Sequence, residues 1–248
     1  VTAIDPSAPA QKDQQDQQDD VAFEPLLLLA SASAGRRATL AAARIAHAVL
    51  PVDLDEEALL TSAREAAGEE TPTTEEEVLL LARAKAEAGT ARSEGGYVVL
   101  GGDSMLELDG ESVGKPHTPE VAAARWRAMR GRTAVLHSGH WLVDDRDPDD
   151  GGTGATLGAV ASCEVSFADV SDEEIEAYVA TGEPLGVAGA FTLDGIAGPF
   201  ITGVHGDPHA VVGLSLPLLR RLLAELDLSV IDLWEPDVPG TEEGTPGI

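Results

Sequence analysis

The chain has 248 residues, 43% of them hydrophobic, enough for one substantial core or two small ones. Forty-four acidic side chains against 16 basic ones give a formal net charge of -28, and no basic stripe offers a footing to nucleic acid. The single cysteine, Cys163, excludes an internal disulfide framework and a thiolate metal cluster, and no apolar run approaches the ~18 residues of a membrane span.

Residues 1–24, opening "VTAIDPSAPAQKDQQDQQDD", are polar, repetitive and poor in core formers, and are expected to form a disordered tail. No charged-then-apolar leader pattern is visible there, so the expected compartment is the cytoplasm. Residues 26–30 predict a buried strand, and 35–45 ("GRRATLAAARI") a helix that Ser33 can cap. "AVLPVDL" predicts a short strand leading into "DEEAL". Residues 73–89 carry clear helix ends: a threonine cap, early glutamates, late basic residues and a glycine stop. "YVVLGGDSMLELDG" predicts a buried strand ending at its glycine pair, followed by a turn.

"TPEVAAARWRAMRG" is another capped helix. "TAVLHSGHWLVDD" and "ATLGAVASCEVSFADV" predict antiparallel strands joined by the polar loop "DRDPDDGGTG". "SDEEIEAYVATGE" is a strongly capped helix, residues 187–205 are glycine-punctuated strand and loop, and "LSLPLLRRLLAELDL" is a final amphipathic helix. The acidic, Pro/Gly-rich end at 231–248 is expected to be a loose tail. Residues 25–230 then form one α/β domain with a mixed sheet, with room for two lobes.

Within that frame, "LASASAGRR" places small residues directly after the first strand, so a ligand can approach the backbone of Ser31, Ser33 and Gly35. Arg36 and Arg37 follow in a first helical turn, where the helix dipole disfavours cations but free N–H groups welcome phosphate oxygens. Asp103 follows two glycines that leave room beside its carboxylate, which can ligate a metal or take a proton from water; a plain turn aspartate fits the same pattern. The chain has three lysines, Lys12, Lys85 and Lys115. Lys115, before Pro116, sits on extended backbone that aims its ammonium outward, as a solvated surface lysine also would. Lys85 can equally serve as a cation near a helix end, and Asp55 and Glu56 as residues that open a helix.

His137 and His140 would point to opposite faces of a strand, which argues against a histidine metal site. Phosphate-loop, dinucleotide and serine-elbow motifs are absent from the sequence. What remains is an anion-plus-metal set of Arg36, Arg37, Glu56, Lys85, Asp103 and Lys115. Its hard carboxylates suit Mg²⁺ or Mn²⁺, and its cations suit a polyphosphate.

"LASASAGRRATL", "DLDEEAL", "LARAKAEA", "GGDSM", "VGKP", "MRGRTAVLHSG", "VSDEEIEAYVATGEPLGVAGAFTLDG" and "GDPHAVVGLSLPLL" occur in the order seen in the Maf family, from about residue 26 to 228. The resemblance implies a fold similar to the inosine-triphosphate pyrophosphatases: a mixed, elongated sheet flanked by helices, with two lobes around a cleft. It also implies hydrolysis of a nucleoside triphosphate to monophosphate and pyrophosphate with a divalent cation (Mg²⁺ or Mn²⁺), removing non-standard or excess nucleotides, and a possible homodimer. A nucleotide-binding regulator of cell division or septum formation is the alternative role attached to the family.

By the same resemblance Asp103 is the proton acceptor, Glu56 and Asp103 hold the metal, Lys85 and Lys115 are the family's two lysines, and Arg36 is the second arginine of its "SxSPRR" segment. Ser31, Ser33, Gly35, Arg36, Arg37, Ser104 and Asp194 are expected to touch substrate. Five departures stand out: the proline and first arginine of that segment are Ala34 and Gly35, the threonine after the aspartate is Ser104, Asp194 replaces a glutamine or glutamate, and Ser215 replaces a proline. Positions 35, 104 and 194 are tied to base preference in the family.

Overall fold

A parallel entry and a long antiparallel spine make up the sheet. The computed structural model describes residues 23–236; residues 1–22 and 237–248, which hold most of the expected tails, lie outside the described residues. Strand β1 (Leu27–Leu29) leads through helix α1 (Ala34–Ala42) to β2 (His47–Val49), which lies parallel to β1. Helices α2 (Glu56–Ala67) and α3 (Thr74–Thr90) then return the chain to β3 (Val98–Leu108), parallel to β1 on its other side. Short β4 (Glu111–Val113) folds back on β3, and α4 (Pro119–Met129) precedes the long strands β5 (Thr133–Asp144) and β6 (Thr156–Phe167). After α5 (Asp172–Ala180) come β7 (Ile201–His205), α6 (Pro208–Val212) and α7 (Leu216–Ala224). The sheet order is β2-β1-β3-β5-β6-β7, with β4 paired to β3: the mixed α/β architecture expected.

The helix starts follow their capping chemistry. Thr73 and Glu76 form a reciprocal capping box on α3, Ser171 and Glu174 do the same on α5, and Thr118 and Ser215 cap α4 and α7. Helix α1 is shorter than the 35–45 predicted, because Arg44 takes φ 54° and the chain turns there toward β2. The strand predicted over 48–54 is confined to His47–Val49; Pro51, with no N–H to give a ladder, lies just beyond it.

The glycine pair does not end β3. Gly101 and Gly102 sit in the middle of an eleven-residue strand, and Asp103 with them. The reason is tertiary: a Cβ on Gly101 would stand 2.1 Å from Ala82 O and 2.5 Å from Ala86 N, so the absent side chain lets α3 lie directly on the sheet.

Two core clusters share the opposite face. One gathers Leu29, Leu40, Leu100, Leu142 and Leu219 beneath α1 and α7; the other gathers Leu106, Trp126, Leu136, Phe167 and Tyr178 beneath α4 and α5. Leu100 and Leu106, six residues apart on β3, belong one to each, so the two lobes stand at opposite ends of one sheet face. The first lobe reaches past residue 230: Leu233 is 1% exposed and its carbonyl accepts from Ala46 N–H at 2.8 Å.

Candidate active site

On one side of β3, β1 covers Val98–Leu100 and β4 covers Leu106–Leu108, so residues 101–105 have no strand partner along that edge. A cavity of about 660 Å³ opens there, between the lobes. Because the edge is open, residues from both faces of the strand reach it: Asp103 from the α3 side and Ser104 from the side of the two cores.

Lys85, buried on α3, bridges two carboxylates. Its Nζ lies 2.6 Å from Asp103 Oδ1 and 2.7 Å from Glu56 Oε1. Asp55 caps α2 through Ala58 N–H, which leaves Glu56, in the first turn, to face the lysine. Burial alone would raise the Glu56 carboxyl, but Lys85, hydrogen-bonded to it, and Lys115 and Arg36 farther off bring it below its ordinary value.

Arg36 is also buried, and its fork is already engaged. Nε donates to Gly213 O at 2.9 Å, one terminal nitrogen to Ser31 Oγ and the other to Ser104 Oγ, both at 3.1 Å. A guanidinium carries five N–H groups, so two remain for a ligand. Burial lowers its pKa while Asp103 and Glu56 act to raise it. Behind it Ser104 Oγ meets Ser138 Oγ at 2.7 Å, and Ser138 donates to Ala210 O at 2.7 Å. His140, fully buried, accepts Ser215 N–H at 2.8 Å and is bonded to Ser138 O at 3.0 Å. A proline at 215 has no N–H to offer this imidazole, so the serine departure is matched by a buried partner.

The other wall is built differently. Val187, Ala188, Phe191, Thr192, Leu193 and Asp194 line it, Phe191 belonging to the Trp126 core.

A family model described as Maf-like protein matches residues 26–226. The chain belongs to that family. Proteins named "Nucleoside triphosphate pyrophosphatase" are similar to this Maf-like chain along nearly their whole length. That of Leifsonia xyli subsp. xyli is 51% identical over 211 residues, 84% of this chain and 96% of that protein. The Salinispora tropica protein is 49% identical over 233 residues, covering 89% and 96%, and the Streptomyces coelicolor protein 48% over 211 residues, covering 85% and 95%. The solved Staphylococcus aureus Ham1 protein aligns with a TM-score of 0.39 at 17% identity, over 80% of this chain and 98% of that one.

Of the residues singled out in the sequence, Ser31, Ser33, Gly35, Arg36, Glu56, Lys85, Asp103, Ser104, Lys115 and Asp194 all line the one cavity. Arg37 does not: it is exposed on α1, one residue past the arginine that turns inward. At Gly35 a Cβ would lie 2.9 Å from Val212 O, so in this Maf-like chain α6 occupies the space a side chain there would need. Ser138 and Glu183 escaped the sequence reading, and His140 entered it only as a histidine unsuited to a metal site. They sit among ordinary strand and loop residues, and only their tertiary partners mark them out.

Proposed function

We propose that this chain hydrolyses a nucleoside triphosphate to the nucleoside monophosphate and pyrophosphate, clearing non-standard or excess nucleotides from the cytoplasm. The observation that carries the proposal is Lys85, buried at the cavity wall and bridging Asp103 and Glu56, with Arg36 and Lys115 beside it. The names of the similar proteins support the same chemistry.

In this reading Asp103 takes a proton from water as the water oxygen bonds to the α-phosphorus, and the bond from that phosphorus to the bridging oxygen breaks to release pyrophosphate. Lys85 holds the Asp103 carboxylate in one orientation. Lys115, exposed at the rim, and the two remaining N–H groups of Arg36 meet the charge that builds on the leaving group. Among the described residues no group of three or more His, Cys, Asp or Glu side chains is placed to hold a metal. Two carboxylates facing a triphosphate pocket nevertheless fit an ion bound largely by phosphate oxygens, as Mg²⁺ and Mn²⁺ are, and Glu56 and Asp103 would hold it. Such an ion would neutralise phosphate charge. Nucleic acid and membrane play no part in this reading; among the described residues no helix is long and apolar enough to cross a bilayer. The homodimer implied by the family is checked by sedimentation.

The test is pyrophosphate release across a panel of nucleoside triphosphates, with and without Mn²⁺. Asp103→Asn keeps an oxygen for Lys85, which stays paired with Glu56, so it should still fold with a lowered melting temperature and turn over at least ~100-fold more slowly, the loss expected of a general base. A near-normal rate removes Asp103 from the chemistry. Tight binding of triphosphates by the wild type without turnover moves the protein to the regulator reading.

A further inference from the structure

The wall that carries Asp194 is strung between two anchors. At one end Trp126 Nε1 donates to Ala190 O at 2.7 Å, where Ala190 is fully buried with a left-handed φ of 63°. At the other end stands Glu183, on the turn after α5. Its Oε1 accepts from Tyr178 OH at 2.9 Å, from Thr192 Oγ1 at 2.6 Å, from Ile196 N–H at 3.0 Å and from Ala197 N–H at 3.3 Å; its Oε2 also takes Ile196 N–H at 3.0 Å. Tyr178 in turn is locked edge-on against Trp126, with ring centroids 5.3 Å apart. One carboxylate thus ties residues 192, 196 and 197 to the rigid aromatic core, and Asp194 lies inside that loop at the cavity rim.

The fit is close. A Cβ on Gly195 would come within 2.4 Å of Thr192 Oγ1 and 2.7 Å of Glu183 Oε2, so the backbone wraps the carboxylate with no space left over. Burial acts to raise the Glu183 carboxyl, yet the Thr192, Ile196, Tyr178 and Ala197 hydrogen bonds bring it below its ordinary value, which marks a network organised around the charged form. Nothing in the proposed chemistry uses this group, and it is not among the residues lining the cavity.

We propose that Glu183 is a positioning residue for substrate selection: by fixing residues 192–197 it holds Asp194 and Thr192 against the base-and-sugar part of the nucleotide. The inference rests on the triphosphate reading of the cavity. It separates two tasks, because the loop Glu183 holds is not the segment that carries Lys85, Asp103 or Arg36. Loosening it should change which nucleotide is chosen more than how fast a bound one reacts.

The experiment measures kcat and KM for a panel of nucleoside triphosphates with the full chain, Glu183→Gln, Asp194→Asn and the double variant, with melting followed in parallel. Glutamine places an NH₂ where an oxygen faced Ile196 N–H, so the loop loosens. The preference for the best base over the next, as a ratio of kcat/KM, should fall roughly tenfold, through KM, with kcat changed less than about threefold. Adding Glu183→Gln to Asp194→Asn should reduce the preference no further, since one acts through the other. Tyr178→Phe, which removes one bond to Glu183 Oε1, keeps the carboxylate and lies outside the cavity lining, should show the same pattern more weakly should Glu183→Gln fail to fold. A loss shared equally by every triphosphate, additive losses in the double variant, or a wild type without base preference overturns the inference and leaves the triphosphate reading standing. A wild type that turns over no triphosphate overturns that reading, and this inference with it.

Discussion

The cavity has two unlike walls. The first is charged and made by long regular elements: Lys85 on a seventeen-residue helix, Asp103 and Ser104 in the middle of an eleven-residue strand, Arg36 on a capped helix and bonded across to Gly213. The second is mostly apolar and made of short turns, with Asp194 exposed at its rim and Glu183 behind it. The difference divides labour as physics requires. Charges that must meet a reacting phosphate need positions fixed by packing, whereas a surface that selects among related ligands can sit on a loop, provided that something ties the loop down.

The most severe way to break the comparison is to discharge the first wall. Lys85→Met leaves Asp103 and Glu56 facing each other with their shared cation gone, and removing one member of a buried ion pair costs on the order of 3–5 kcal/mol. We expect a lower melting temperature together with turnover reduced at least ~100-fold for every nucleotide alike. A variant that loses base preference while keeping kcat would show that the two walls do not divide the work in this way.

Much of the first wall was legible from residue types alone. The capping boxes of α3 and α5 mark those helices in sequence, and the scarcity of lysine drew attention to Lys85 and Lys115. The two strand segments on either side of the polar loop "DRDPDDGGTG" likewise announced a long antiparallel pair. The position of Asp103 was misread locally, because a glycine pair ordinarily interrupts a strand and only the approach of α3 explains why this one does not. Arg36 and Arg37 could not be told apart until the helix phase sent one inward and left the other outside. The support of the second wall was invisible for a related reason: Glu183 bonds residues nine to fourteen positions downstream, a pairing that neither periodicity nor spacing encodes.

Gly101 gives a finer probe of the first wall. An alanine there pushes its Cβ into the backbone of α3 rather than into a movable side chain, so overpacking should cost roughly 3 kcal/mol. Since α3 carries Lys85 and β3 carries Asp103, separating the two elements should lengthen the ion pair as well. The outcome to look for is a lower melting temperature with a drop in kcat, and base preference as in the wild type. Unchanged stability would mean that α3 does not lie on the strand as described.

The smallest effect distinguishes the walls by pH. His140 backs the first wall: its Nε2 accepts the Ser215 N–H at the start of α7, two residues from the carbonyl that holds Arg36. Burial, helped by the nearby Arg36 charge, lowers its pKa from 6.5 to about 4, against the opposing pull of Ser138 O and Asp207. A depressed histidine means that protons bind the unfolded chain more readily, so its contribution is complete above about pH 6.5 and is lost as the pH falls toward 4. Between about pH 7 and pH 5 that loss is roughly 2 kcal/mol. Glu183, with its carboxyl held below the ordinary value, gives the opposite wall a contribution that persists through this range and fails only in stronger acid. Denaturant unfolding at the two pH values should therefore show a steeper decline for the wild type than for His140→Leu, which starts less stable but has no imidazole to titrate. Hydrogen exchange should localise the difference: between pH 7 and pH 5 the protection of the Ser215 amide falls further than that of the Ile196 amide held by Glu183. Equal pH slopes in the two proteins would mean that His140 is not the neutral pin behind Arg36.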